Sequence, residues 1–322
     1  MSAIREGTPP SHGRSSREPL RIAARGGPRT TAHARTSGEI VELRRGRPGY
    51  PARLSLTAHA PERLWIWGEL PREDRKTVGI VGTRRMTEYG HRIAREIAGA
   101  LASAGAVVVS GLAQGIDSTA HSAALAVGGC TVAVLGEGLV AFETTGPTAR
   151  RRIAHAILER GAVISQYPRE QVGTHWTFPT RNVTIAALGD VLVVVEAPIG
   201  SGSLITAEFA KELGRSVLAV PGPLGASTWE GSNALIAAGD ATLLVSAEQV
   251  ASRLGLTLLS PAAERRTPAA DRVLDLLADG AVDSDAIRAG IGTSAAQAAL
   301  LIAELLIGGA IVATGDGRFA RR

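Results

Sequence analysis

The 322-residue chain has one cysteine, Cys130, two lysines, Lys76 and Lys211, and few aromatic residues, about 3% of the total. A lone cysteine cannot close an intrachain disulfide, and no Cys/His cluster has zinc-ligand spacing, so neither staple is expected and no metal or cofactor is called for. Long apolar runs are also missing. The longest, around Val107–Val109 and Val191–Val195, fall far short of the ~18 residues of a spanning helix, and no apolar signal core opens the chain. The expectation is a cytoplasmic protein that makes no membrane contact. There is no G-x-S-x-G elbow, Walker loop, H-E-x-x-H or carboxylate pair flanking a nucleophile, so nothing compels an enzymatic reading.

What is present begins with arginine. The net charge is +5, but residues 1–53 hold 11 arginines and 4 glutamates while the rest carries 24 basic and 26 acidic residues. The basicity belongs to the N-terminal tail and is not by itself a nucleic-acid signal. Residues 1–45, rich in Arg, Ser, Thr, Gly and Pro and without periodicity, are expected to be a solvated disordered tail, or an electrostatic arm on phosphates. Residues 46–76 include YPARLSLTAHAPERLWIWGELP, with three of the chain's aromatics, and read as a lead-in layer packed on the core.

From 77 to 254 short apolar runs alternate with helical stretches. Strands are predicted at Val78–Val81, Val107–Ser110, Val132–Leu135, Ala162–Ser165, Val191–Glu196 and Val217–Val220. Helices are predicted at Glu88–Ala104, Ser118–Val127, Thr148–Arg160, Arg181–Leu188, Leu204–Leu213 and Ser232–Ala238. Runs such as VLVVV lack polar alternation, as in strands covered on both faces, so the fold class is α/β with a doubly wound, mostly parallel sheet. Residues 255–267 read as a linker, and 268–322 as a small winged-helix domain of three helices and a β-turn. Its predicted recognition helix, TSAAQAALLIAELL, carries no cation, which favours packing or docking over reading a DNA groove.

Three loops at strand carboxyl ends carry the chemistry. In the first, Gly82, Thr83 and Arg84 open the turn after strand one, where a glycine turn and a helix N-terminus suit a phosphate. In the second, SGLAQGIDSTAH, Ser110, Gly111 and Gly115 allow close backbone approach, Asp117 is placed to N-cap the helix from Ser118, and His121 reads as a packing histidine. In the third, Ser201, Gly202 and Ser203 follow VLVVVE and open a helix, while Arg181 and Asn182 add a cation and an amide from a neighbouring element. Glu196 and Glu208 read as structural. Glycine-bearing loops of this kind form a ligand crevice at a sheet's switch point.

On GTRRMTEYG (82–90), SGLAQGIDSTAH (110–121), AVLGEGL (133–139), FPTRN (178–182), VVVEAPIGSGSLITA (193–207) and AVPGPLG (219–225), the chain resembles the DNA-processing protein A family, DprA/Smf. The resemblance implies an extended Rossmann-like fold that binds single-stranded DNA without sequence preference or catalysis, forms a homodimer, and helps load the RecA recombinase in natural transformation. It also implies more positive charge than this chain has. Arginine is usual where Gln114 and Val183 stand, and Arg or Lys where Gly200 stands, while VAFETTGPTARRR replaces a usual Tyr-Pro and Asn. Arg150–Arg152 or the basic tail are the candidates to compensate. Two other readings stay open. One is a nucleotide-binding or nucleoside-monophosphate phosphoribohydrolase-like protein, suggested by Pro198, Gly200, Gly202 and Glu208 in APIGSGSLITAE; the other is a member kept for protein contacts alone.

Overall fold

The structure, a computed structural model, describes residues 39–258, 267–278, 280–307 and 309–321. Most of the expected tail and linker lies outside the described residues. Nine strands form one sheet: β1 (Ile40–Arg44), β2 (Arg63–Gly68), β3 (Thr77–Val81), β4 (Val107–Ser110), β5 (Thr131–Leu135), β6 (Ala162–Ser165), β7 (Val191–Val194), β8 (Ser216–Ala219) and β9 (Thr242–Leu243). Their order is β1-β2-β6-β5-β4-β3-β7-β8-β9. From β6 to β9 neighbouring strands are parallel, and β2 joins β6 antiparallel with β1 outside it. The chain leaves β3 in one direction through β4, β5 and β6, then returns to place β7 on β3's other side. The switch point therefore lies between β3 and β7.

Both faces of the parallel strands are covered, which is why their sequences show no polar alternation. Val108, Val191 and Val193 face one layer, built on α2 (Glu88–Ser103), α3 (Ile116–Ala126) and α9 (Ala247–Leu254). Their neighbours Val107, Val109, Leu192 and Val194 face the other, built on α1 (Ala52–Ser55), α6 (Thr177–Leu188) and α7 (Gly202–Glu212). Helices α4 (Leu139–Thr145) and α5 (Thr148–Ile157) cover β5, β6 and the two tryptophans of β2 through Leu135, Leu139, Phe142, Ala154 and Ile157. Helix α8 (Glu230–Ala237) follows β8. Helix α2 buries Ala94, Ile97, Ala98 and Leu101 at helical spacing, and its cap Thr87 accepts from Gly90 N.

Four details correct the expectations. Ile40–Arg44, inside the segment expected to be disordered, is an edge strand, and the lead-in both extends the sheet through β2 and packs on it through α1. Helix α4 occupies VAFETT, where the sequence pattern predicts none. Helix α6 begins at Thr177, four residues before the expected start, because Pro179 falls in a first turn whose N–H groups have no intrahelical partner to lose. Helix α3 begins at Ile116, so Asp117 is not its N-cap.

The C-terminal residues form a separate small core around Val273, Leu274, Ile287, Ile302 and Ile311. It comprises α10 (Pro268–Leu276), α11 (Ser284–Ile291), α12 (Ala295–Ile307) and the hairpin β10 (Ile311–Ala313) and β11 (Phe319–Arg321). No single helix among the described residues is long and apolar enough to cross a membrane.

Helix α1 of the lead-in is tied to the start of β7 through one carboxylate. Asp190, at the start of β7, takes the Arg53 guanidinium of α1 at 3.0 and 3.1 Å and accepts from Thr77 N at 2.9 Å. Asp190→Ala removes a fork–fork ion pair and leaves an inward N–H unpaired, so it should lower stability by about 2 kcal/mol. Urea unfolding checks this: the midpoint falls while the slope stays unchanged.

Candidate nucleic-acid interface

The loops after β3, β4 and β7 and the first turns of α6 meet in a crevice of about 600 Å³. It lies at the carboxyl ends of the strands, beside the switch point. Gly82, Thr83, Arg84, Asn182, Ser201, Gly202 and Ser203 line it, together with Arg85, Ala113, Asp117, His175, Phe178, Pro179 and Thr206. The first and third predicted loops are thus brought together. Ser110, Gly111, Gly115 and Arg181 lie behind the wall and support it.

Arg181 is the main departure from expectation. It is 4% exposed. Its guanidinium donates to Gly111 O at 2.8 Å, to Val134 O and to Asn182 Oδ1 at 3.2 Å. Those carbonyls stand at or beside the ends of β4 and β5, where the ladder stops and the chain turns away. Burial pushes the guanidinium down to about 10, with Asp117 opposing, so it stays charged near neutral pH. Asn182 carries the contact onward, its Nδ2 donating to Gly202 O at 3.0 Å. Arg181 therefore positions the wall from inside, and Asn182 links it to the α7 loop.

Asp117 explains why a buried cation is tolerated. Its Oδ2 accepts from Gly111 N at 3.1 Å and Ala113 N at 3.4 Å, tying down the loop that precedes the helix. Burial pushes its carboxyl up, and Arg181 and these N–H donors oppose the rise. Leu112, between them, is held at φ +52° and its carbonyl accepts from Arg150 Nε at 2.7 Å. Gly115 is required where this loop crosses the first one. It sits at φ +89°, and a Cβ there would lie 2.3 Å from Thr83 O.

The α7 end is arranged for an anion. Ser201 caps the helix, accepting from Ser203 N, and the two hydroxyls are 2.6 Å apart. The first N–H groups of a helix lack internal partners and carry the positive end of its dipole. Arg84 and Arg85 bring exposed charge from across the crevice, and Arg84 lies 5.4 Å over the Phe178 ring. Phe178 and His175, absent from the predicted contacts, reach the crevice because α6 starts at Thr177 and carries its first turn into it.

Two of the proposed compensating residues are engaged elsewhere, while Arg152 is exposed and most of the tail lies outside the described residues. Arg150 pairs with Glu137, and Arg151 donates to Gly146 O and Glu143 O. Glu196 caps α2, accepting from Thr87 N and Oγ1 at 2.9 Å each. Glu208 is exposed on α7 and does not line the crevice. A phosphoribohydrolase-like reading therefore finds neither carboxylate there. His121 is fully buried, its Nδ1 2.7 Å from Thr131 Oγ1, whose own proton goes to Val108 O. Nδ1 therefore carries the hydrogen, and burial pushes this imidazole down to about 3.

A Rossmann-like sheet with a glycine- and serine-rich crevice at its switch point defines a broad class. The match to known proteins narrows it: the family model for DNA recombination-mediator protein A matches residues 43–255, and the chain belongs to that family. Protein Smf of Escherichia coli K12 is 41% identical over 218 residues, 67% of this chain and 57% of its own length. The chain thus spans little more than half of that relative. The structure of DNA processing protein A from Streptococcus pneumoniae superposes with a TM-score of 0.61 at 34% identity, covering 68% of this chain and 75% of that one. Its counterpart from Helicobacter pylori, described for its single-stranded DNA binding mode, gives 0.59 at 26% identity, covering 67% and 96%.

Two measurements separate support from contact. Arg181→Ala strips donors from Gly111 and Val134 and leaves Asp117 buried without its counter-charge, so stability should fall by about 3–5 kcal/mol. Arg84→Ala, at an exposed position, should unfold within about 0.5 kcal/mol of wild type; chemical denaturation of both variants checks the contrast. For His121, the unfolded chain takes up a proton near pH 6.5 while the folded chain resists until about 3. Its contribution is complete above about pH 6.5 and is lost as pH falls toward 3, so His121→Leu should show a shallower loss of stability across that window in denaturant titrations.

Proposed function

We propose that the chain binds single-stranded DNA in this crevice and acts as a non-catalytic recombination mediator that passes the strand to a RecA-type recombinase during DNA uptake. The observation that carries the reading is the convergence of the capped α7 N-terminus with Arg84 and Arg85 in one crevice. Family membership supports it, as does the single-stranded DNA binding described for the Helicobacter pylori protein. Backbone donors and two rim arginines recognise phosphates and read no base edge, which fits binding without sequence preference. The reading extends to a homodimer, and to a C-terminal winged helix that docks on protein. Helix α12 carries one charged side chain, Glu304, and offers phosphates no cation.

Of the three positions where family arginines or lysines are replaced, Gln114 is exposed and next to crevice-lining Ala113. Fluorescence anisotropy of a labelled single strand of about 20 nucleotides, titrated at several salt concentrations, tests the proposal. Binding should prefer single strands over duplex competitor and weaken with salt. Gln114→Arg should tighten it at low salt and steepen the log–log salt slope by about 0.7, one phosphate contact. Absence of binding at low salt would overturn the reading.

A further inference from the structure

Trp176 stands apart from the other tryptophans. It is 72% exposed, against 8% for Trp65, 7% for Trp67 and 1% for Trp229. A scattered apolar side chain on a surface needs no account, but an indole set against a crevice-lining residue is a different case. Trp176 is the N-cap position of α6 and follows His175, which lines the crevice; the two rings are 4.7 Å apart at 44°. Its backbone is fixed, because its carbonyl accepts from Thr180 Oγ1 at 2.8 Å. The next residue is fixed too, with Thr177 O accepting from the Tyr167 hydroxyl at 2.8 Å. Two positions on, Phe178 carries Arg84 against its ring within the crevice. The α6 entrance thus offers π surfaces from Phe178 and His175 in the crevice to a large indole that stands in water on a fixed backbone.

We infer that Trp176 is a stacking platform for a base of the strand whose phosphates occupy the crevice. The inference rests on the function proposed above and adds to it the part of the ligand that the phosphate-binding loops do not read. An indole face takes any base, because every base has a π-face, so the contact adds affinity without sequence preference. It suits a crevice with few free cations, since stacking is much less screened by salt than phosphate pairing.

The test compares the full-length wild type with Trp176→Ala and Trp176→Phe. Two strands of about 20 nucleotides serve as probes, an oligothymidylate and an abasic deoxyribose-phosphate chain of the same length. Trp176→Ala should bind oligothymidylate on the order of tenfold more weakly, and Trp176→Phe should keep most of the affinity. On the abasic chain all three should bind alike. Oligothymidylate should also quench the wild-type tryptophan emission, and the quenching should vanish in Trp176→Phe because the remaining indoles are buried. Equal affinity of Trp176→Ala and wild type for oligothymidylate would overturn the inference while leaving the proposed function standing. So would an equal loss on both probes. A wild type that binds neither probe would remove the proposed function, and the stacking role with it.

Discussion

Parallel strands end in carbonyls that have run out of ladder partners, and in this protein a buried guanidinium answers them. Arg181 joins the ends of β4 and β5 through Gly111 O and Val134 O and holds Asn182, which in turn holds Gly202 at the start of α7. A charge so deeply buried is tolerated because Asp117 opposes it and carbonyl oxygens receive its protons. Two strand ends and a helix start are thereby placed relative to one another by two adjacent side chains. Loops tied together in this way have little conformational entropy left to lose.

The same arrangement divides the site into supports and contacts. Behind the wall sit Ser110, Gly111, Gly115 and Arg181, all buried, while Asp117 reaches the wall from that side. On the wall sit Ser201, Gly202, Ser203 and the exposed Arg84 and Arg85. The three positions where the resemblance implies cations divide in the same way. Val183 is 6% exposed within α6, whereas Gln114 is exposed and Gly200 has open space around the place of a Cβ. A valine at 183 fits its apolar surroundings, and only the other two positions face solvent where charge would act directly.

The sheet was legible because its strands are short apolar runs between helical segments, and two-sided burial leaves that mark on composition. Ile40–Arg44 was not legible: its strand character is confined to the first residues of an arginine-rich stretch, and its pairing with β2 depends on a partner some twenty residues away. The loops of the site could be found, since glycines and serines at strand ends report what the backbone must do. The direction of a long side chain cannot be read in the same way. Arg181 is expected to add a cation beside the third loop, but α6 starts four residues early and its guanidinium meets the strand ends instead. Phe178 went unnoticed for the same reason.

That misreading of one arginine applies more widely to an arginine-rich composition. Arg45 donates to Ser55 O and Thr57 O, Arg75 to Gly105 O, Arg160 to Gly128 O and Arg215 to Ala187 O. With Arg150, Arg151 and Arg181, these residues use the guanidinium as a multi-pronged donor to chain ends and turns, a task for which lysine's point charge is a poor substitute. A high isoelectric point therefore says little about phosphate binding here, because much of the charge already answers backbone oxygens. Among the described residues lining the crevice, Arg84 and Arg85 are the exposed cations. With so little free charge, affinity for a polyanion has to draw on helix-start N–H groups and on the aromatic faces at the α6 entrance, and these are the groups the buried Arg181–Asn182 link holds in place.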